Sequence, residues 1–148
     1  MIQAVIDILQ SKHLSIGISE SMTGGFLASR FVSIQGVSTI FKGSLICYHT
    51  DIKVRVLGVE QAHIQTYGVV SKEVAVEMVR KTESLFTCDL SISITGYAES
   101  PSYAYVAIKY KEIEQSIHLT YPNATRIQAI EHVSEEAIQL LHKVLLSL

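Results

Sequence analysis

Hydrophobic positions along this chain follow two spacings, one typical of helices and one typical of strands. Ile2, Val5, Ile6 and Leu9 recur at helical spacing and predict an amphipathic helix that ends near His13. Applied to the whole chain, the two patterns predict strands over 14–19, 41–48, 90–96, 103–110 and 113–121. They also predict helices over 2–13, from the turn after the first strand to about Ser33, over 51–56, from Ser71 to Phe86, and from about Asn123 onward.

The order of these elements predicts the fold class. Helices and strands alternate early in the chain, which favours parallel strands covered by helices, whereas the late hairpin around Lys111-Glu112 adds antiparallel strands. We therefore predict an α/β protein, a three-layer α/β/α sandwich around a mixed β-sheet. With 148 residues and no visible linker or repeat, a single domain over 1–148 is expected.

Two helices have predicted buried faces. Ser71 is suited to be the N-cap of the helix that follows it. The apolar face of that helix is predicted to contain Val74, Met78, Leu85 and Phe86. The last helix is predicted to bury Ile127, Ile130, Ala137, Ile138, Leu141 and Leu145.

Composition narrows the classes of function. The net charge of −2 and the pI near 6.3 give no basic footprint, so no nucleic-acid partner is expected. No apolar run approaches the roughly 20 residues of a membrane span, and no signal peptide is visible, so we expect a cytoplasmic protein without a membrane partner. Cys47 and Cys88 lack metal-binding or redox spacing, which predicts buried, reduced thiols.

The turn that follows the first predicted strand carries candidate chemistry. Residues 19–25 combine hydroxyls, one acid and two glycines between a strand and a helix. The N–H groups at such a helix N-terminus can meet an anion, and a serine there can act as a nucleophile beside backbone donors. Ser21 or Thr23 can equally be an ordinary N-cap. The turn alone leaves both interpretations open.

Several motifs, in the same order along the chain, resemble the CinA C-terminal domain family, the nicotinamide-nucleotide amidases. Glu20–Gly25 is similar to the family's A-E-S-C-T-G-G, and Phe41–Lys53 is similar to F-x-G-G-x-V-x-Y-S-N-x-x-K. Further on, Leu57–Val59 resembles L-G-V, Tyr67–Ala75 resembles H-G-A-V-S-x-x-V-A, and Ser93–Gly96 resembles S-I-T-G. The resemblance covers most of the chain.

The resemblance implies an α/β/α fold and a hydrolytic activity in pyridine nucleotide salvage. Family enzymes convert nicotinamide mononucleotide to nicotinate mononucleotide and ammonia with a serine nucleophile and a lysine, assisted by a tyrosine. By motif, these residues are Ser21, Lys53 and Tyr48. A small-molecule substrate, no cofactor and no metal are expected. We expect substrate to be bound by Glu20, Thr23, Gly24, Gly25, Thr95, Gly96 and Arg126.

Elementary chemistry agrees with this assignment. A serine hydroxyl needs a base to attack an amide, and a lysine serves when burial or nearby positive potential lowers its pKa. Tyr48 would relay a proton or orient Lys53. His49 is a weaker candidate base, since on a strand it would point away from the face that carries Tyr48.

The chain departs from the family pattern after Gly96. The segment Tyr97–Tyr103 lacks the family's glycine-rich loop and the lysine of the following K-P-V-G, which removes the expected phosphate-binding groups. Glu99 adds a negative charge, and Tyr97 and Tyr103 would line a more apolar pocket. Arg126 matches the family's final arginine only after a shift of one position.

These departures keep two alternatives open. The domain would either act on a different substrate or have lost activity and serve as an oligomeric interaction module. The mean hydropathy of +0.30 supports an expected homo-oligomer.

Overall fold

Five strands form one mixed sheet at the centre of the molecule. A computed structural model describes all residues, 1–148. The strands are β1 (Ile16–Glu20), β2 (Phe41–Ile46), β3 (Leu90–Gly96), β4 (Tyr103–Tyr110) and β5 (Ile113–Thr120). Their order is β2-β1-β3-β4-β5, with β1 parallel to β2 and β3, and with antiparallel pairs β3–β4 and β4–β5. The predicted α/β class, mixed sheet and late hairpin are confirmed.

Helices cover both faces of this sheet. They are α1 (Ile2–Ser11), α2 (Phe26–Val32), α3 (Thr50–Ile52), α4 (Gln61–Tyr67), α5 (Lys72–Phe86) and α6 (Arg126–Leu146), and a π-helical turn over Lys53–Leu57 continues α3. Helices α1, α2 and α6 contact one another over one face, while α5 packs on β1, β3 and β4 on the other. None of these helices has both the length and the apolar composition needed to cross a membrane.

The two faces of β3 show why this strand alternates so regularly. Leu90, Ile92 and Ile94 enter the main apolar core. The hydroxyls of Ser91, Ser93 and Thr95 point the other way and donate to the carbonyls of Val79, Ala75 and Val69 at 2.9, 2.6 and 2.8 Å. Small hydroxyl side chains let α5 approach the sheet closely, and Thr95 fixes the segment before α5 beside the strand end.

Three sequence-based expectations about helices need correction. Leu85 is 47% exposed and Ile127 is 66% exposed, although both were predicted on buried faces. Each lies in a terminal turn of its helix, and periodicity gives the direction of a side chain without showing where the opposing surface ends. Helix α4 was not predicted, because it buries no residue of its own and lacks an apolar stripe.

Other local expectations are confirmed. Ser71 is the N-cap of α5, and its hydroxyl accepts a hydrogen bond from Val74 N at 3.2 Å. Cys47 and Cys88 are both buried and free. Burial raises the pKa of Cys88 to about 11, so its thiol stays protonated and unreactive near neutral pH.

Candidate active site

The carboxyl ends of β1, β2 and β3 bring Ser21 and Lys53 together. Ser21 follows β1 directly, and the π-helical turn after β2 carries Lys53 back toward that strand end. Lys53 Nζ lies 2.9 Å from Ser21 Oγ. Because parallel neighbouring strands end at the same edge of the sheet, the two residues meet although 32 positions separate them in sequence.

Lys53 is a buried amine without a carboxylate partner. Only 2% of the residue is exposed, and no ion pair includes it. Its Nζ also lies 2.7 Å from the carbonyl oxygen of Cys47 and 3.3 Å from that of Tyr48. Desolvation by burial lowers the pKa of Lys53, which favours the neutral amine. Two amine hydrogens can then be donated to the two carbonyls, and the lone pair is left for the Ser21 hydroxyl.

Glu20 holds the turn that carries Ser21. Its fully buried carboxylate accepts hydrogen bonds from Thr23 Oγ1 at 2.7 Å, from Leu27 N and Ala28 N at 3.0 Å each, and from Ser44 Oγ at 3.3 Å. Glu20 therefore caps α2 from the preceding strand. The N-terminus of α2 is therefore not open to an outside anion, because this carboxylate accepts from two of its first free N–H groups, and neither the Ser21 nor the Thr23 side chain caps the helix.

The rest of the turn is shaped by its glycines. Gly24 and Gly25 have φ values of 58° and 98°, a region that favours glycine. With Thr23 they line a separate shallow depression beside Ile127, not the cavity in front of Ser21. The predicted substrate-binding residues Glu20, Thr23, Gly24 and Gly25 therefore do not line that cavity, and in the structure they shape the turn.

A cavity of about 370 Å³ opens in front of Ser21 and has a size suited to a small-molecule ligand. Of the predicted site residues, it is lined by Ser21, Tyr48, Lys53, Thr95, Gly96 and Arg126; its other lining residues are Met22, Thr50, Val69, Val70, Tyr97, Ala98, Glu99 and Ser100. Val69 and Val70 were not predicted as site residues. Their position inside the Tyr67–Ala75 motif was the one feature of the sequence that could have indicated them. A wider depression between α4, α5 and β5 lies away from Ser21.

The mouth of the cavity carries one arginine and one glutamate. The Tyr48 hydroxyl accepts a hydrogen bond from Arg126 Nη2 at 2.8 Å, and Arg126 Nη1 lies 3.7 Å from Glu99 Oε1. Tyr48 is 57% exposed. Its hydroxyl lies at the mouth beside Arg126, and its backbone carbonyl contacts Lys53. A carboxylate and a guanidinium thus lie side by side at the entrance through which a polar ligand would reach the cavity.

Two further sequence-based expectations can be checked at this site. His49 is not on a strand but is the N-cap of α3; its Nδ1 accepts from Asp51 N at 3.1 Å, and it does not line the cavity. Tyr97 lines the cavity as expected, whereas Tyr103 packs edge-to-face on Tyr97 and faces a neighbouring depression. No cluster of three or more histidine, cysteine, aspartate or glutamate side chains has a geometry that could hold a metal ion.

A sequence profile of the CinA C-terminal domain matches residues 1–145. The chain belongs to the CinA C-terminal domain family. Over 146 residues, this CinA domain is 39% identical to a competence-damage inducible protein of Finegoldia magna, covering 97% of the chain and 35% of that relative. It is 42% identical over 96 residues to a CinA-like protein of Dictyoglomus thermophilum, covering 65% of the chain and 23% of that protein.

The CinA domain therefore spans about a third of the length of the first of these relatives. Solved structures match its fold closely. A CinA superfamily protein of Klebsiella pneumoniae superposes with a TM-score of 0.95 at 18% identity, covering 99% of this chain and 96% of that one. One from Escherichia coli gives a TM-score of 0.87 at 23% identity, with coverage of 96% and 90%. At these identities the likeness establishes the fold of the CinA domain.

Proposed function

We propose that this CinA domain hydrolyses a carboxamide, with Ser21 as the nucleophile and Lys53 as the general base. The substrate that we propose is nicotinamide mononucleotide, which would give nicotinate mononucleotide and ammonia. The observation that carries the proposal is the 2.9 Å approach of the buried Lys53 amine to the Ser21 hydroxyl. This distance permits direct proton transfer between the two groups.

Acylation would begin when Ser21 Oγ attacks the carbonyl carbon of the amide. Lys53 Nζ takes the serine proton as the new C–O bond forms and the carbonyl electron pair moves onto oxygen. When the tetrahedral intermediate collapses, the C–N bond breaks, Lys53 returns the proton to nitrogen, and ammonia leaves. Water then attacks the Ser21 ester with Lys53 again as the base, Lys53 passes the proton to Ser21 Oγ as the C–O bond breaks, and the acid product leaves and gives its own proton to solvent, where ammonia takes one up.

Backbone donors beside Ser21 can stabilise the oxyanion of these intermediates. The N–H groups of Met22 and Thr23 donate no hydrogen bond within the chain, whereas Gly24 N and Phe26 N close the turn onto the carbonyls of Ser21 and Thr23 at 3.1 and 2.9 Å. We assign the oxyanion to the first two groups. A fixed pair of donors supports the reaction because it needs no reorganisation as the charge develops.

Arg126 is the group that we propose for the substrate phosphate. It is the one cation at the mouth of the cavity, and its side chain is held in place by the Tyr48 hydroxyl. A guanidinium can bind two phosphate oxygens at once. Glu99 beside it weakens the attraction for an anion, so binding of the nucleotide would be set by the balance between these two side chains.

Ammonia release from nicotinamide mononucleotide tests the proposed function directly. The wild-type domain should release ammonia, and Ser21→Ala should reduce kcat to background, because the attacking oxygen is removed. Ser84→Ala, which alters an exposed serine on α5, is the matched control and should keep wild-type activity. Wild-type protein that releases no more ammonia than buffer would disprove this substrate.

Glu99→Gln tests the charge balance at the mouth. The variant should raise kcat/KM for nicotinamide mononucleotide about three- to tenfold at low salt, since removing one unit charge near a partly exposed site changes the interaction by about 1 kcal/mol. Nicotinamide riboside, which lacks the phosphate, should gain nothing. Glu112→Gln, in the distant hairpin turn, is the control. An unchanged ratio between the two substrates would contradict a role for Glu99 in phosphate selection.

A further inference from the structure

A buried tyrosine at the junction of β5 and α6 touches both sides of the cavity. Tyr121 is 6% exposed, and its hydroxyl oxygen lies 2.7 Å from the carbonyl oxygen of Tyr97 and 3.2 Å from Met22 Sδ. A phenol has one proton, and a carbonyl oxygen is a stronger acceptor than a thioether sulfur. The proton therefore belongs to the bond with Tyr97, and the Met22 sulfur packs against the phenol oxygen.

Tyr121 also holds the other end of the same segment. Its backbone N–H donates to the carbonyl of Ser102 at 3.1 Å. Within the segment, Ser102 N donates to the carbonyl of Glu99 at 2.8 Å. Tyr121 thus contacts both ends of residues 97–102, which we call the mouth segment, and Tyr97 N closes the base of the segment by donating to the carbonyl of Tyr103 at 2.9 Å. Tyr97, Ala98, Glu99 and Ser100 of this segment line the cavity.

The contact with Met22 links the mouth segment to the nucleophile. Met22 directly follows Ser21 and is 4% exposed. A Cβ atom added to Gly96 would lie 2.5 Å from Met22 Sδ, so the methionine sulfur lies between the end of β3 and the Tyr121 hydroxyl. The Tyr121 hydroxyl therefore lies between the mouth segment and the residue that follows Ser21.

We propose that Tyr121 is a positioning residue, whose hydroxyl fixes the mouth segment at a set distance from the Ser21 turn and thereby governs substrate binding. The proposal rests on the proposed function of this site. Tyr121 contacts neither Ser21 nor Lys53, so its hydroxyl holds the substrate-facing wall and leaves the activation of the nucleophile to Lys53. Burial raises the pKa of Tyr121 to about 12, which keeps it a donor across the working pH range.

Tyr121→Phe removes one oxygen atom and is the sharpest test. The carbonyl of Tyr97 loses its partner, and the mouth segment should loosen, whereas Met22 loses one sulfur–oxygen contact and still packs against Gly96. We expect KM for nicotinamide mononucleotide to rise about five- to tenfold, as loss of one buried hydrogen bond allows. The kcat value and the rate at which a small fluorophosphonate labels Ser21 should stay within twofold of wild type.

Hydrogen exchange gives a readout that does not need turnover. Amide exchange in the mouth segment of Tyr121→Phe should be at least tenfold faster than in wild type, while exchange in β1 and β3 stays unchanged and shows that the fold is intact. Tyr110→Phe is the matched control, because the Tyr110 hydroxyl makes no hydrogen bond within the chain. Wild-type exchange in the mouth segment, or a labelling rate that falls in parallel with activity, would overturn the proposal. If wild-type protein fails to turn over the nucleotide, the proposed substrate is disproved, and exchange and labelling still decide the role of Tyr121.

Discussion

Lys53→Met should lower kcat/KM for amide hydrolysis by about 10²–10⁴-fold, the range that general-base catalysis contributes. Methionine keeps most of the apolar stem, one atom shorter, but its thioether is far too weak a base to take the Ser21 proton. Labelling of Ser21 by a fluorophosphonate should slow in the same proportion, because the serine then stays a weak nucleophile. Ammonia release and labelling rates measure the two effects. Lys42→Met, on the exposed side of β2, is the control and should be unaffected.

The pH dependence of kcat/KM is a second test of Lys53 as the general base. A general base acts in its neutral form, so kcat/KM of the wild type should rise with pH as Lys53 loses its proton. Since burial lowers the pKa of Lys53, the midpoint of that rise should lie below the ordinary lysine value of about 10.4. Lys53→Met should abolish this limb of the profile. Full labelling of Ser21 in Lys53→Met would exclude Lys53 as the base.

Glu20→Ala should destabilise the protein by about 2–5 kcal/mol, because each buried donor left without a partner costs about 1–3 kcal/mol. The carboxylate is the acceptor for the N–H groups of Leu27 and Ala28 and for two hydroxyls. Alanine leaves these donors facing one another around an empty volume. The free energy of unfolding, measured by urea titration, should fall accordingly, and the Ser21 turn should lose its fixed shape.

Two comparison variants sharpen this test. Glu20→Gln keeps one acceptor oxygen but places an amide donor among other donors, so its loss of stability should be intermediate. Glu73→Ala removes an exposed acid from the first turn of α5, where it interacts with the helix dipole alone, and should cost about 0.3–1 kcal/mol. A loss below 1 kcal/mol in Glu20→Ala would contradict the capping role that the hydrogen bonds indicate.

Lys53 and Glu20 are expected to contribute in different ways, one to the reaction rate and the other to the stability of the turn. Lys53 contacts the nucleophile and is expected to change the rate with little effect on the fold. Glu20 adjoins Ser21 in sequence but turns its carboxylate away from the cavity, toward the start of α2. Glu20 and Ser21 are adjacent in one motif, yet Glu20 supports the turn and Ser21 faces the cavity. The motif alone cannot distinguish these two positions.

Local pattern in the sequence predicted most of the regular structure. Strand β3 was predicted with its observed bounds because apolar and hydroxyl side chains alternate without a break from Leu90 to Gly96; both faces are buried, one in the apolar core and one against α5. The hairpin β4–β5 was found from its two runs around Lys111-Glu112. Helix α4 was missed, because it depends on a partner: Glu77 on α5 accepts from Glu60 N at 2.8 Å and contacts His63 Nδ1 at 2.6 Å.

The sequence by itself determined the fold class, and it led to Ser21 and Lys53 as the proposed reacting pair, because both lie in motifs that match the family in residue type and order. Only the tertiary structure decided how these groups work. The pKa of Lys53 is lowered because the turn after β2 carries its amine into the interior beside Ser21. Packing likewise makes Glu20 the cap of α2 and places the Tyr121 hydroxyl beside the carbonyl of Tyr97. Burial and distance between residues far apart in sequence are set by packing, and no local pattern records them.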